Sequence, residues 1–83
     1  MQPDDLIAAR GETHGNFDRA ASCAQRMKFL ISNYGDDLSC AQKEALQMIA
    51  TKMARILVGD ASHADHWDDI AGYAMLGKGG GNE

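Results

Sequence analysis

One stretch of apolar side chains, bounded by a helix-start and a helix-stop signal, constrains the fold more than any other feature of this chain. Ser39 and Gln42 have the spacing of a capping box, and Gly59 follows Val58 as a C-terminal stop. Between these signals, apolar residues recur on one broad helical face: Ala45, Leu46, Ile49, Met53, Ile56 and Leu57. The pattern predicts an amphipathic helix over about 40–58.

A second helix is predicted over about 16–34. Asn16 suits an N-cap, and Gly35 follows Tyr34 as a stop. Its apolar side chains recur at helical spacing and are predicted to face inward: Phe17, Ala20, Ala21, Ala24, Met27, Ile31 and Tyr34.

A third helix is predicted over about 63–76. It is expected to open at Ser62 with Asp65 as the carboxylate partner three residues on. Trp67 heads the face predicted to pack inward, followed at helical spacing by Ile70, Ala71 and Ala74. Gly72 inside this helix costs about 1 kcal/mol relative to alanine, which indicates a close crossing with another helix.

The length of 83 residues allows a single domain. We predict one helical domain over residues 1–76 and a flexible, glycine-rich tail over 77–83. Roughly 60 residues then remain to build a core, a size at which small folds rely on oligomerisation or other supports. The prediction is therefore an all-α, three-helix unit that completes a helical bundle by self-association, as a homodimer or higher oligomer.

The net charge of −4 argues against binding to a nucleic-acid duplex, which favours a basic surface. No apolar run approaches the roughly 20 residues of a membrane span, so no membrane partner is expected. Cys23 and Cys40 lie within or beside helical patterns and are interpreted as reduced residues of a cytoplasmic protein.

Three carboxylates are candidate metal ligands. Asp65, Asp68 and Asp69 share one helix face, and two of them suffice to hold Mg²⁺ with waters and phosphate. Glu44 on the preceding helix is a candidate third ligand beside Asp65 and Asp69. The alternative is a solvated acidic first turn that suits the helix dipole. His63 and His66 form a weaker metal candidate with Asp65.

Two cations on the helix over 40–58 are candidate phosphate ligands. Lys52 and Arg55 lie at or beside its polar face, and arginine binds phosphate oxygens with a bidentate fork. The alternative is a polar face that makes weak surface pairs. The polar segment 10–17, which includes Thr13 and His14, precedes a helix N-terminus where an anion can bind. A simple turn with an N-cap explains that segment equally well.

Three stretches together resemble a family of small phage and prophage proteins of unknown function: residues 10–17, 43–59 and 65–74. That family is in turn distantly similar to the all-α nucleoside triphosphate pyrophosphatases of the MazG type. The resemblance implies an oligomeric helical bundle that uses acidic residues and Mg²⁺ to split a nucleotide between its α and β phosphates. In a phage, the protein would act in the host cytoplasm.

The acidic pattern of those pyrophosphatases is reduced in this chain. Asp69 matches their final aspartate, Asp65 replaces a glutamate one residue further away, and Glu44 stands alone because Met48 occupies the position four residues on. The functional prediction is a nucleotide-binding protein, with Mg²⁺-dependent pyrophosphohydrolase activity at a reduced site. The alternative is a non-catalytic phage accessory or anti-defence protein that binds a nucleotide signal or a host protein at an oligomer interface.

Overall fold

The computed structural model describes residues 16–79 and contains three α-helices there. Helix α1 spans Phe17–Tyr34, α2 spans Cys40–Val58 and α3 spans Ala64–Lys78. No strand occurs among these residues, so the all-α, three-helix prediction is confirmed. Each helix begins and ends within two residues of its predicted position.

Local capping explains these boundaries. The side chain of Asn16 accepts a hydrogen bond from the Arg19 amide at 3.0 Å. At the start of α2, the Ser39 hydroxyl accepts from the Gln42 amide at 3.0 Å, and the Gln42 side chain accepts from the Ser39 amide at 3.1 Å. Both caps are as predicted and satisfy amides that a helix start leaves without intrahelical partners. Gly35 ends α1 where an added Cβ would collide with the carbonyl oxygen of Ile31.

Helix α2 lies between the other two helices and packs against both. Within residues 16–79, α1 and α3 make no contact with each other. The α1–α2 contact centres on Ala20, Ala24 and Ala54, and half-buried Cys23 and Met27 pack against it. These small side chains allow the two helix backbones to approach closely.

The buried apolar residues of the described chain are all alanines: Ala20, Ala24, Ala45, Ala50 and Ala54. Ten larger apolar side chains are exposed, among them Phe17 and Tyr34, which were predicted to face inward. The prediction was wrong for these two because they stand at the ends of α1. No described helix has the length and apolar character needed to cross a membrane.

The inward face of α3 also differs from its prediction. Trp67 is 54% exposed, and Ala71 and Ala74 are exposed as well. The residue that α3 buries is His66, which is only 2% exposed. Helical spacing from His66 places Ile70 and Tyr73 on the inner side, where both are half-buried.

The close helix crossing lies at a different glycine from the one predicted. A Cβ built on Gly72 would meet no described atom within 4 Å, so that prediction was wrong. A Cβ on Gly77 would lie 3.1 Å from the Ala45 Cβ, which is a tight contact between α3 and α2. Gly77 and Lys78 therefore belong to the helix, not to the predicted tail over 77–83, and residues 80–83 of that tail lie outside the described range.

Candidate functional site

Polar side chains gather where the C-terminal half of α2 meets the N-terminal half of α3. We refer to the following residues as the polar cluster: Lys52, Arg55, His63, His66 and Asp69. Two elements and the connection between them contribute to it, because α3 folds back along α2. The phosphate candidates from the sequence, Lys52 and Arg55, both belong to this cluster.

An ion pair links the two helices within the cluster. Lys52 Nζ lies 3.0 Å from Asp69 Oδ2, and the two side chains are 21% and 46% exposed. Asp69 follows His66 by three residues and so points toward the same side of α3. The prediction that Trp67 faces inward placed Asp69 on the side of α3 away from α2. That placement was wrong, because Asp69 contacts Lys52 of α2. The pair neutralises most of the charge that Lys52 would otherwise offer to an anion.

His66 is the buried polar residue of the cluster. Burial lowers the pKa of its imidazole below the usual histidine value of 6.5, and the neighbouring charges of His63, Lys52 and Arg55 lower this pKa further. Asp69 acts in the opposite direction. The rings of His63 and His66 meet edge to face with centroids 4.7 Å apart. The lowered pKa favours a neutral His66 at pH 7, surrounded by groups of both charge signs.

The connection between α2 and α3 is held by its own side chains. Asp60 Oδ1 accepts hydrogen bonds from the Ser62 amide at 2.9 Å and the Ser62 hydroxyl at 2.7 Å. These two bonds, together with the charges of the nearby histidines, lower the pKa of the Asp60 carboxyl. Trp67 Nε1 donates to the carbonyl oxygen of Ala61 at 2.8 Å, which anchors the connection to α3.

The third helix does not start as predicted, because its N-cap is His63 and not Ser62. Ser62 was expected to cap it with Asp65 as partner, but the hydroxyl of Ser62 is engaged by Asp60. The N-cap of α3 is His63, whose side chain makes no capping hydrogen bond in the described part of the chain.

The three predicted metal ligands Glu44, Asp65 and Asp69 do not form a group that could hold a metal ion. Asp65 has an 81% exposed side chain that lies 3.8 Å from His63 Nε2, while Asp69 faces Lys52. Glu44 precedes Lys52 by eight residues, a distance of about 12 Å along the helix axis. No three His, Cys, Asp or Glu side chains within residues 16–79 are arranged to hold a metal ion. Mg²⁺ binding therefore stays a prediction, without support from this arrangement.

Arg55, unlike Lys52, forms no ion pair with another described residue. It is half-buried in the last turns of α2, and its charge reaches His66. Within residues 16–79, no carboxylate lies within 4.0 Å of its guanidinium group. The sequence pattern identified Arg55 but gave no sign that Lys52, rather than Arg55, pairs with Asp69.

The sequence did not indicate that His66 is the buried residue at the centre of the site. Its spacing of three residues from Asp69 and seven from Tyr73 is a helical-face pattern, but Trp67 suggested a different inward face. Thr13 and His14, the other predicted ligand-binding residues, lie outside the described residues.

The fold and the site define a class: an all-α protein whose central helix carries a polar cluster shared with the helix that follows. The chain belongs to the family described as a domain of unknown function, DUF6378, whose family model matches residues 4–79. No curated protein and no solved structure shows significant similarity to this chain.

Proposed function

We propose that this protein binds a nucleotide, or another small phosphorylated ligand, at the polar cluster between α2 and α3. The observation that carries the proposal is the half-buried Arg55, which has no carboxylate partner within 4.0 Å in the described residues. A charged group held partly out of water is costly to leave uncompensated. An anionic ligand would compensate this charge.

Phosphate is the anion that suits these residues best. The guanidinium group of Arg55 presents paired N–H donors that match two phosphate oxygens. Lys52 adds positive potential from nearby, although Asp69 offsets most of it. The start of α3 adds the partial positive charge of a helix N-terminus, which favours phosphate groups. All three contributions act on the same end of the α2–α3 pair.

Binding is better supported than catalysis. Pyrophosphohydrolases of the type that the sequence resembles need several carboxylates around Mg²⁺. Within residues 16–79, Lys52 holds Asp69, and Asp65 reaches the cluster at His63 with an 81% exposed side chain. Glu44 lies about 12 Å further along α2 from Lys52. The proposal is therefore the non-catalytic alternative, in which the bound nucleotide acts as a signal. Ligand binding by Thr13 and His14, and an origin in a phage, stay predictions.

Calorimetric titration with a panel of nucleoside mono-, di- and triphosphates tests the proposal. Arg55→Ala should reduce affinity at least tenfold, and Arg55→Lys should restore part of it because the charge returns without the fork. Arg26→Ala is the matched control, since Arg26 is an exposed arginine on α1, away from the cluster. The proposal fails if no nucleotide binds, or if Arg26→Ala weakens binding as much as Arg55→Ala does.

The same panel decides between binding and turnover. Incubation with Mg²⁺ and each triphosphate, followed by an assay for released pyrophosphate, should show no protein-dependent product. If pyrophosphate is released and Asp69→Asn abolishes its Mg²⁺ dependence, the protein is a pyrophosphohydrolase and the non-catalytic proposal is wrong.

A further inference from the structure

Several carboxylates surround the polar cluster. Asp69 is held by Lys52 at 3.0 Å, and Asp65 lies 3.8 Å from His63 Nε2. Asp60 stands in the connection before α3, near enough to the histidines to interact with their charges. Within residues 16–79, these three carboxylates adjoin a cluster that contains one lysine and one arginine. The surroundings of the proposed ligand are therefore rich in negative charge.

The positive charge that remains for a ligand amounts to about one unit. Asp69 neutralises Lys52, whereas Arg55 has no carboxylate within 4.0 Å among the described residues. His66 adds no second charge at pH 7, because burial, the chief cause, lowers the pKa of its imidazole. The N-terminus of α3 adds roughly half a positive charge, which Asp65 in the first turn of that helix offsets.

Phosphorylated ligands differ in how much negative charge they bring. A phosphate monoester carries about 1.5 to 2 negative charges at pH 7, and a triphosphate carries more. A phosphodiester carries one charge per phosphate group. Each further charge would leave water beside carboxylates and without an unpaired cation, which is costly. A diester avoids this cost and still has two unesterified oxygens for the fork of Arg55.

We infer that the polar cluster binds a small phosphodiester with a single negative charge and discriminates against nucleoside triphosphates. This inference rests on the proposed function and specifies the class of its ligand. Cyclic nucleotides and dinucleotides are small phosphodiesters. A nucleic-acid strand contains the same chemical group, but the net charge of −4 on this chain repels a polyanion.

Two probes of nearly equal shape test the inference. Adenosine 5′-monophosphate and its methyl ester differ by one methyl group and by the charge that esterification removes. In calorimetric titrations at pH 7.5, the methyl ester should bind with about fivefold higher affinity than the monophosphate, since one repulsive charge is absent. Adenosine triphosphate should bind most weakly, with or without Mg²⁺. Cyclic AMP and a short oligothymidylate complete the series.

The outcomes separate this inference from the proposed function. If the monophosphate or the triphosphate binds more tightly than the methyl ester, the inference fails and the proposed ligand site stands. If none of the probes binds, the proposed function fails and the inference fails with it. If the oligothymidylate binds more tightly than the small diesters, the ligand is a nucleic-acid strand and the assignment to a small phosphodiester is wrong.

A substitution that frees a second cation provides an independent test. Asp69→Asn releases Lys52 from its ion pair, so it should remove most of the preference for the methyl ester over the monophosphate. Asp18→Asn is the matched control, because it changes the net charge equally at an exposed position on α1 and should keep the preference. Arg55→Ala should weaken both probes, and circular dichroism reports whether each variant is folded. An unchanged preference in folded Asp69→Asn, or an equal change in Asp18→Asn, would overturn the inference.

Discussion

Lys52 Nζ and Asp69 Oδ2 lie 3.0 Å apart, and this ion pair joins the central helix to the one that follows it. The lysine is mostly covered and the aspartate is about half-exposed. Solvent therefore reaches one side of the pair, which limits its contribution to stability.

The first prediction concerns that pair. Asp69→Asn should lower the free energy of unfolding by no more than about 1 kcal/mol, the range for partly exposed pairs. Urea unfolding of the two single variants and the double variant with Lys52→Met gives the coupling energy. Asp65→Asn serves as the control, because that carboxylate is exposed and should change stability very little. A coupling energy near zero would show that the pair contributes nothing to the α2–α3 contact.

The second prediction concerns the pH dependence of stability. The pKa of His66 is lowered in the folded state, chiefly by burial, so the unfolded chain binds its proton more readily. Stability should therefore be complete above the unfolded pKa of about 6.5 and should fall as the pH drops from there toward the lowered folded pKa. The urea midpoint measured at pH 7.5 and at pH 5.5 reports this change.

A matched histidine substitution assigns the effect. His66→Gln should remove most of the pH dependence in this window, whereas His63→Gln should retain much of it. If His66→Gln does not fold, the ring resonances of His66 in the unaltered protein still report its pKa by NMR titration. A pKa at or above 6.5 would contradict the prediction. Asp60 titrates separately, because its lowered pKa places any loss of stability below pH 3.8.

The third prediction contrasts the two glycines of α3. Gly77→Val should destabilise the fold by about 1–3 kcal/mol, because a Cβ there lies 3.1 Å from the Ala45 Cβ and larger atoms must displace α2. Gly72→Ala should instead stabilise it by up to about 1 kcal/mol, since nothing described lies within 4 Å and alanine favours helix. Thermal unfolding of the two variants should move the midpoint in opposite directions. A shift in the same direction for both would contradict the crossing at Gly77.

The fourth prediction concerns the cap of α2. Ser39→Ala should cost about 1 kcal/mol, because it removes the acceptor for the Gln42 amide. Ser22→Ala is a suitable control, since Ser22 is exposed within α1. Equal urea midpoints for Ser39→Ala and the unaltered protein would show that water replaces the cap at no cost.

The sequence was sufficient to predict the structural features that depend on a few neighbouring residues. Ser39 and Gln42 close a capping box whatever the rest of the chain does, and Gly35 and Gly59 stop helices for similarly local reasons. The helix boundaries could therefore be predicted closely. Lys52 and Arg55 could be assigned to one polar region because they share a helix.

The orientation of α3 could not be predicted in the same way. An apolar spacing that begins at Trp67 and one that begins at His66 are both helical, and hydrophobicity favoured the first. The second is present because Gly77 allows α3 to approach Ala45, which turns His66 and Asp69 toward α2. That choice depends on packing between helices distant in sequence. For the same reason, the sequence could not show that Glu44, Asp65 and Asp69 do not form a three-ligand group.

The absence of contact between α1 and α3 within residues 16–79 has a consequence for how this protein opens. Among the described residues each outer helix packs on α2 and not on the other, so either can detach while the other remains docked, as in a linear array with nearest-neighbour coupling. Amide hydrogens in the middle of α2 should then exchange most slowly, and those of α1 and α3 should exchange through two separate local openings. A substitution that loosens α1 would leave the protection of α3 unchanged, which means that a polar cluster between α2 and α3 persists through the opening of α1.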